Sequence, residues 1–362
     1  MHTRPQLIIN CNTICQNYMY LKNYVNPAIA ACVVKDDAYG LGIREIGLSL
    51  SQAGCRTFFV AYGCEGARLR KSAPYANIYV LQGYGKEEKT IFKKYDLRPV
   101  LPTVSSIIQW FDKPANRLIP AIQVETGLNR LGMTPDEMPS IAHLPFSLIL
   151  SHLACADDPK HPLNTHQLEQ FEKYKEFFPQ IPFSLSASDG IFLGKEYHFD
   201  MVRLGAALYG INTMPYGEKP VKNCVRVLAP ILQIREVSAG ESIGYGATCQ
   251  LSKTRQIATV SIGYGDGVFR NFSSSGILHI ENEGKIYPAP VVGRISMDNI
   301  TCDVTDIPEK VLNQTDYMTL IDDYYDIDDF AKACGTIGYE TLSSLGHGTR
   351  YIRKYIGLPE EL

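Results

Sequence analysis

The stretch AIAACVVKDDAYGLGIREIGLSLSQAG, residues 28–54, sets an apolar run ahead of a helix-length segment, with a lysine at the junction. Residues 28–34 are apolar without alternation, as in a strand buried on both faces. Seven more apolar runs follow, at 57–62, 77–82, 97–102, 120–125, 146–152, 182–187 and 200–205. Helix-length segments lie between them. In NTHQLEQFEKYKEFF (164–178), Leu168, Phe171, Tyr174, Phe177 and Phe178 form an amphipathic stripe. Eight doubly buried strands alternating with helices predict an α/β fold with a parallel sheet, closed as a (β/α)8 TIM-type barrel. An open doubly wound sheet is the competing arrangement.

The pattern changes near Arg226. Strand-like pieces with turns take over: VLAPILQIREV then SAGE, RQIATVSI then GYGDG, ILHI then ENEG, and RISMDNITCDVT then DIPE. A short helix near 328–334 and a strand within 349–357 complete a mostly β C-terminal domain. QLIIN (6–10) alternates like a strand and is placed with that domain. The expected division is therefore 11–224 for the barrel, and 1–10 plus 225–362 for the β domain, with a connector at MPYGEKPVKN (214–223).

The formal net charge is −3, so no basic excess points to nucleic acid or to anionic lipid. No run approaches the roughly 18 apolar residues of a membrane span, and the first residues lack a signal-peptide pattern. The ten cysteines include no C-x-x-C pair and suit reduced thiols in a cytoplasm. The eight histidines never reach metal-site spacing, so no metal is expected. A cytoplasmic protein acting on a small molecule is the expectation.

Lys35 ends the first run, on the face where barrel enzymes keep their active sites. A lysine there binds phosphate, pairs with Asp36 and Asp37, or serves as a Schiff-base nucleophile. Tyr39-Gly40-Leu41-Gly42 precedes a helix and offers amides to an anion. The dinucleotide pattern G-x-G-x-x-G fails here, because its third glycine falls on Glu45. GYGDG (263–267) and ESIGYGAT (241–248) read first as tight turns. DDYYDIDDF (322–330) reads as a helix cap with an acidic face. His152 ends another barrel run.

Taken together, VVKDDAYGLG, GYGATC, IGYGDG and VGRISMDN, in this order and spacing, resemble the alanine racemases, enzymes of the type III pyridoxal 5′-phosphate fold. The resemblance covers nearly the whole chain and implies a barrel followed by a β domain. It implies that Lys35 forms a Schiff base with the cofactor and that Tyr39, Ser188, Tyr339 and the backbone of Gly205 and Ala206 hold its phosphate. Arg203 is matched to the pyridine nitrogen, with His152 beside it. Arg130 and the backbone of Met297 are matched to the substrate carboxylate, and Tyr264 and Asp298 to the substrate entrance. Racemisation needs proton transfer on both faces of a planar carbanion, and the resemblance assigns Lys35 to the D face and Tyr245 to the L face. A phenol titrates near 10, so Tyr245 must be tuned, by a relay through His152 and Arg203. The resemblance further implies interconversion of L- and D-alanine, supply of D-alanine for peptidoglycan, and a homodimer with shared active sites. A racemase of broader specificity, or a serine racemase, is the alternative.

Three positions depart from the family pattern. Gln123 stands where many members carry a carbamylated lysine, so Arg130 must be oriented by another group. Asp37 replaces an asparagine and is expected to raise the basicity of Lys35 if close. Ala187 replaces the asparagine before the phosphate serine.

Overall fold

The computed structural model describes residues 3–112, 118–212, 220–273 and 275–360. The connector expected at 214–223 falls outside the described residues up to 219. Two compact units are present: Ile14–Ala38, Gly42–Val221 and Pro359–Leu362 form one, and Met1–Thr13, Tyr39–Leu41 and Lys222–Leu358 form the other.

In chain order, β1 is Gln6–Asn10, β2 Ile29–Val33, β3 Thr57–Val60, β4 Asn77–Val80, β5 Leu97–Leu101, β6 Ala121–Gln123, β7 Leu148–Leu150, β8 Phe183–Ser184 and β9 Met201–Leu204. β2 to β9 make a parallel sheet in the order β8-β7-β6-β5-β4-β3-β2-β9. Its two ends meet at a bridge between Ala187 and Arg203, where Arg203 N–H donates to Ser186 O at 3.0 Å. The sheet is thus a nearly closed eight-stranded barrel rather than an open one. Every apolar run contributes one strand, because residues such as Cys32, Phe58, Ile78, Val100, Ile122 and Ile149 are buried on both sides. The outer layer is less regular. Helices Ile43–Gln52, Gly63–Leu69, Lys89–Tyr95, Val104–Phe111 and Pro162–Lys173 follow the pattern, whereas short 3₁₀ turns follow β6, β8 and β9.

The second unit contains β1 and, further along, β10 Val225–Val237, β11 Ser242–Ile243, β12 Cys249–Gln250, β13 Arg255–Val260, β14 Ile277–Asn282, β15 Lys285–Pro290, β16 Ile300–Asp303, β17 Tyr317–Ile321 and β18 Ile352–Ile356. β1 pairs antiparallel with β10 and parallel with β18. β10 is long enough to pair with β17 and β13 as well as with β1. Its residues through Pro230 pair with β17, and those from Ile231 pair with β13. Proline lacks an N–H, and it stands where the ladder changes partner. The ENEG turn joins β14 to β15 with Glu283 and Gly284 both at positive φ, which matches the right-handed twist of a two-residue hairpin. β15, β17 and the helix Gly338–Gly346 go beyond the sequence reading.

Candidate active site

Seven of the singled-out residues gather at one end of the barrel, because each lies in or follows a parallel strand. Lys35 comes just after β2, Arg130 lies in the segment after β6, His152 follows β7, Ser188 follows β8, Arg203 lies in β9, and Gly205 and Ala206 come directly after it. This is the rim on which barrel enzymes carry their chemistry.

Arg203 organises this rim. It is 4 % exposed. One terminal nitrogen donates to Ser184 O at 2.8 Å and Ser184 Oγ at 2.7 Å. The other reaches Ser151 O at 2.6 Å, Leu185 O at 3.1 Å and His152 Nδ1 at 3.2 Å. Nε–H finds no acceptor among the described residues. A guanidinium has donors only, so His152 Nδ1 is an acceptor and the imidazole hydrogen sits on Nε2. Burial, followed by Arg203, Arg130 and Lys35, pushes the His152 pKa down to about 3, so the ring is neutral. Burial lowers Arg203 to about 10, and it stays a cation at neutral pH.

Lys35 reaches solvent, yet the protein around it lowers its basicity. Loss of water is the largest cause; Arg130 and Arg203 act in the same direction, and Asp36 and Glu65 oppose them. A larger fraction of the amine is therefore neutral and nucleophilic. Ser188 Oγ accepts from Gly205 N–H at 3.0 Å and Ala207 N–H at 3.2 Å, which leaves its own hydrogen to donate. Ala206 N–H finds no acceptor among the described residues. The rim thus offers a nucleophilic amine, cations and outward donors, a set suited to an anionic carbonyl compound.

The two acids after Lys35 have separate places. Asp36, Asp37 and Ala38 adopt left-handed helical backbone, and Tyr39 also has φ of 56°. Aspartate is among the few side chains that enter this region readily. Asp37 forms an ion pair with Arg68, and its Oδ1 accepts from Ile43 N–H at 3.1 Å. It therefore caps the helix Ile43–Gln52, and the N–H expected to meet an anion there is already taken. Asp36 and Glu65, rather than Asp37, are the carboxylates that favour the Lys35 ammonium. Gln123 Nε2 donates to Leu131 O at 3.1 Å, and so braces the segment that carries Arg130 without a carbamate.

The remaining residues lie in the β unit. Tyr39 and Tyr339 have ring centroids 6.3 Å apart. Their backbones are drawn together by Gly40 and Gly346: a Cβ on Gly346 would stand 2.4 Å from Gly40 Cα. Tyr355 Oη donates to Leu41 O at 2.9 Å and fixes the same segment. Tyr264 N–H donates to Ser296 O at 3.1 Å and Gly265 N–H to Met297 O at 2.9 Å, so the Tyr264 turn is joined to the segment carrying Met297 and Asp298. Arg350 clamps the two, bonding to Asp266 Oδ1 at 2.8 Å, to Met297 O at 3.3 Å and to Asp298. Met297 N–H finds no acceptor among the described residues. The Tyr245 turn lies against Arg294, whose backbone nitrogen would be 3.3 Å from a Cβ on Gly244.

Comparison with known proteins bears on what this rim belongs to. The alanine racemase N-terminal domain matches residues 9–213, and the alanine racemase C-terminal domain matches residues 224–355. The chain belongs to the alanine racemase family. A family relative, the biosynthetic alanine racemase of Agrobacterium fabrum, is 41% identical over 368 residues, spanning 97% of this chain and 93% of the relative. The alanine racemase of Rhizobium meliloti is 39% identical, with 97% of each chain covered. The crystal structure of alanine racemase from Bartonella henselae with covalently bound pyridoxal phosphate superposes with a TM-score of 0.91 at 35% identity, over 98% of this chain and 100% of that one. Biosynthetic alanine racemase from Pseudomonas aeruginosa gives 0.89 at 29% identity, over 98% and 99%.

Within this family member, Glu65, Ala207, Ser184 and Arg350 were not read from the sequence. Glu65 in GCEGARL looks like any first-turn helix acid, and Arg350 like a surface charge. Their roles depend on contacts with residues about 30 to 85 positions away.

Proposed function

We propose that this chain is an alanine racemase that interconverts L- and D-alanine with pyridoxal 5′-phosphate as cofactor. The observation that carries this reading is the rim itself: a strand-end lysine of lowered basicity shares it with a buried arginine that has one donor to spare. The residues fit the group. Lys35 would supply the amine that holds it, Arg203 Nε–H would serve its ring nitrogen, and Ser188 Oγ–H, Ala206 N–H, Tyr39 and Tyr339 would receive its phosphate. When bound, pyridoxal 5′-phosphate supplies an aldehyde for the substrate amine and a conjugated ring that draws off charge as the α-proton leaves.

The chain's own residues do the rest. Arg130 and Met297 N–H bind the substrate carboxylate, while Tyr264 and Asp298 line its entrance. Lys35 Nζ exchanges the α-proton on the D face and Tyr245 Oη on the L face. His152, neutral with its hydrogen on Nε2, donates to the Tyr245 phenol oxygen and favours the phenolate, while Arg203 fixes the imidazole. Arg203, a cation at neutral pH, would disfavour a proton on the ring nitrogen of a bound cofactor.

The second base is assigned to Tyr245 of a second copy, making a homodimer with shared sites. Tyr245, Tyr264 and Met297 are 70%, 43% and 54% exposed, which supports a surface completed by a partner. The product serves peptidoglycan synthesis, and the cytoplasm is the assigned compartment. No helix among the described residues is long and apolar enough to cross a membrane.

Reconstitution with pyridoxal 5′-phosphate tests the cofactor reading. Borohydride reduction followed by peptide mass spectrometry is expected to find the cofactor on Lys35, and label elsewhere, or none, would overturn the reading.

A further inference from the structure

Glu65 is a helix acid in sequence and something else in the fold. It is 8 % exposed, and both carboxylate oxygens accept backbone hydrogen bonds. Oε1 takes Asp36 N–H at 2.6 Å and Asp37 N–H at 3.3 Å. Oε2 takes Ala61 N–H at 2.7 Å and Tyr62 N–H at 3.2 Å. One buried carboxylate thus ties the two residues after Lys35 to the two residues that follow β3.

The tie falls where the backbone needs one. From Asp36 to Tyr39 the chain runs through four successive non-glycine residues at positive φ. Such backbone is disfavoured for residues with a Cβ, so the turn persists only where its surroundings determine it. A left-handed turn directs its N–H groups differently from a right-handed one, and here two of them converge on Glu65 Oε1. Charge-assisted bonds from backbone N–H groups to a carboxylate are among the stronger ones available to a protein.

We infer that Glu65 is a positioning residue for Lys35: its carboxylate holds the left-handed turn that fixes the direction of the lysine side chain, and its charge offsets the arginines around the amine. The value of fixing Lys35 rests on the role proposed for it above. The presence of the carboxylate beside the amine does not. Glu65→Gln keeps the size but presents an NH₂ group toward N–H donors and removes the charge. Glu65→Asp keeps the charge on a shorter arm.

The test reads the Lys35 amine in protein without cofactor. Competitive acetylation across a pH series, with quantitation of the Lys35 peptide by mass spectrometry, gives its titration midpoint. The midpoint is expected to move to lower pH in Glu65→Gln, because a favourable anion is lost while Arg130 and Arg203 remain, and to return toward wild type in Glu65→Asp. A second arm follows capture of pyridoxal 5′-phosphate by stopped-flow absorbance. A misdirected amine is expected to slow it on the order of a hundredfold in Glu65→Gln.

An unchanged midpoint together with an unchanged capture rate, in variants with wild-type circular dichroism, would overturn the inference. A shifted midpoint with no cofactor capture by the wild type would leave Glu65 in place and remove the cofactor reading instead. Should neither variant fold, hydrogen exchange on the intact protein decides. The Asp36 amide, in an exposed residue, is expected to be protected, and exchange at the rate of a free amide would contradict the tie.

Discussion

Arg203 donates to His152 Nδ1 at 3.2 Å, and that single contact sets which nitrogen of the imidazole carries its hydrogen. A cation that can only donate converts its neighbour into an acceptor at one end and a donor at the other. ¹⁵N NMR of labelled protein is expected to report a neutral Nε2–H imidazole for His152 from pH 5 to pH 9.

The same environment has a consequence for stability. Between the ordinary imidazole value of 6.5 and about 3, the unfolded chain holds a proton at His152 that the folded chain lacks. Stability therefore falls as pH drops through that window, by at most about 1.4 kcal/mol per pH unit from this group. Denaturant unfolding of wild type and His152→Gln across pH 4–8 is expected to show a difference that shrinks as pH falls.

Arg203 is also a structural anchor. Removing its side chain leaves Ser151 O, Ser184 O and Leu185 O inside the barrel without this donor. Arg203→Ala is expected to lose about 2–5 kcal/mol, read as a lower denaturant midpoint. Arg203→Lys is expected to recover only part of it, because an ammonium cannot reproduce the planar fork.

Gly40 and Gly346 meet backbone to backbone, and neither segment has a flexible side chain to move aside. Gly346→Ala is expected to cost about 1–3 kcal/mol and to weaken cofactor retention through Tyr39 and Tyr339. Equilibrium dialysis of bound pyridoxal 5′-phosphate, alongside a thermal melt, separates the two effects.

Arg350 holds the Tyr264 turn to the Met297–Asp298 segment. Without it, Asp266, whose carboxyl burial already pushes up, loses its cationic partner. Arg350→Ala is expected to lower kcat/KM for alanine by roughly tenfold to a hundredfold, mostly through KM. Steady-state kinetics in both directions checks this, and comparison of alanine with serine and lysine reads the specificity of the same entrance.

The barrel was legible in the sequence because its strands are buried on both faces, so each appears as an unbroken apolar run. Lys35 and His152 were legible as residues at strand ends, and Arg203 through the family resemblance alone. Asp326 was legible as a cap, and it accepts from Asp328 and Asp329 N–H at 3.0 Å each. β15 and β17 were not, because KIYPAP carries two prolines and YMTLI is short and sits among polar residues. The left-handed turn after Lys35 was hidden for a different reason. Glu65, 29 positions from Asp36, ties it down, and only the pairing of β2 with β3, the strand that precedes the helix Gly63–Leu69, brings them together. Asp37, expected to act on Lys35 only if close, is drawn instead to Arg68 and to Ile43 N–H, while Asp36 and Glu65 act on the lysine.

The most direct test is conversion of L-alanine in deuterium oxide by the protein loaded with pyridoxal 5′-phosphate, followed by chiral chromatography and mass spectrometry. D-alanine carrying deuterium at Cα is expected to accumulate toward parity with the L form, and to be abolished by Lys35→Ala and by Tyr245→Phe. Loaded, folded protein that forms no D-alanine, or Lys35→Ala protein that still forms it, would contradict the assignment of this rim.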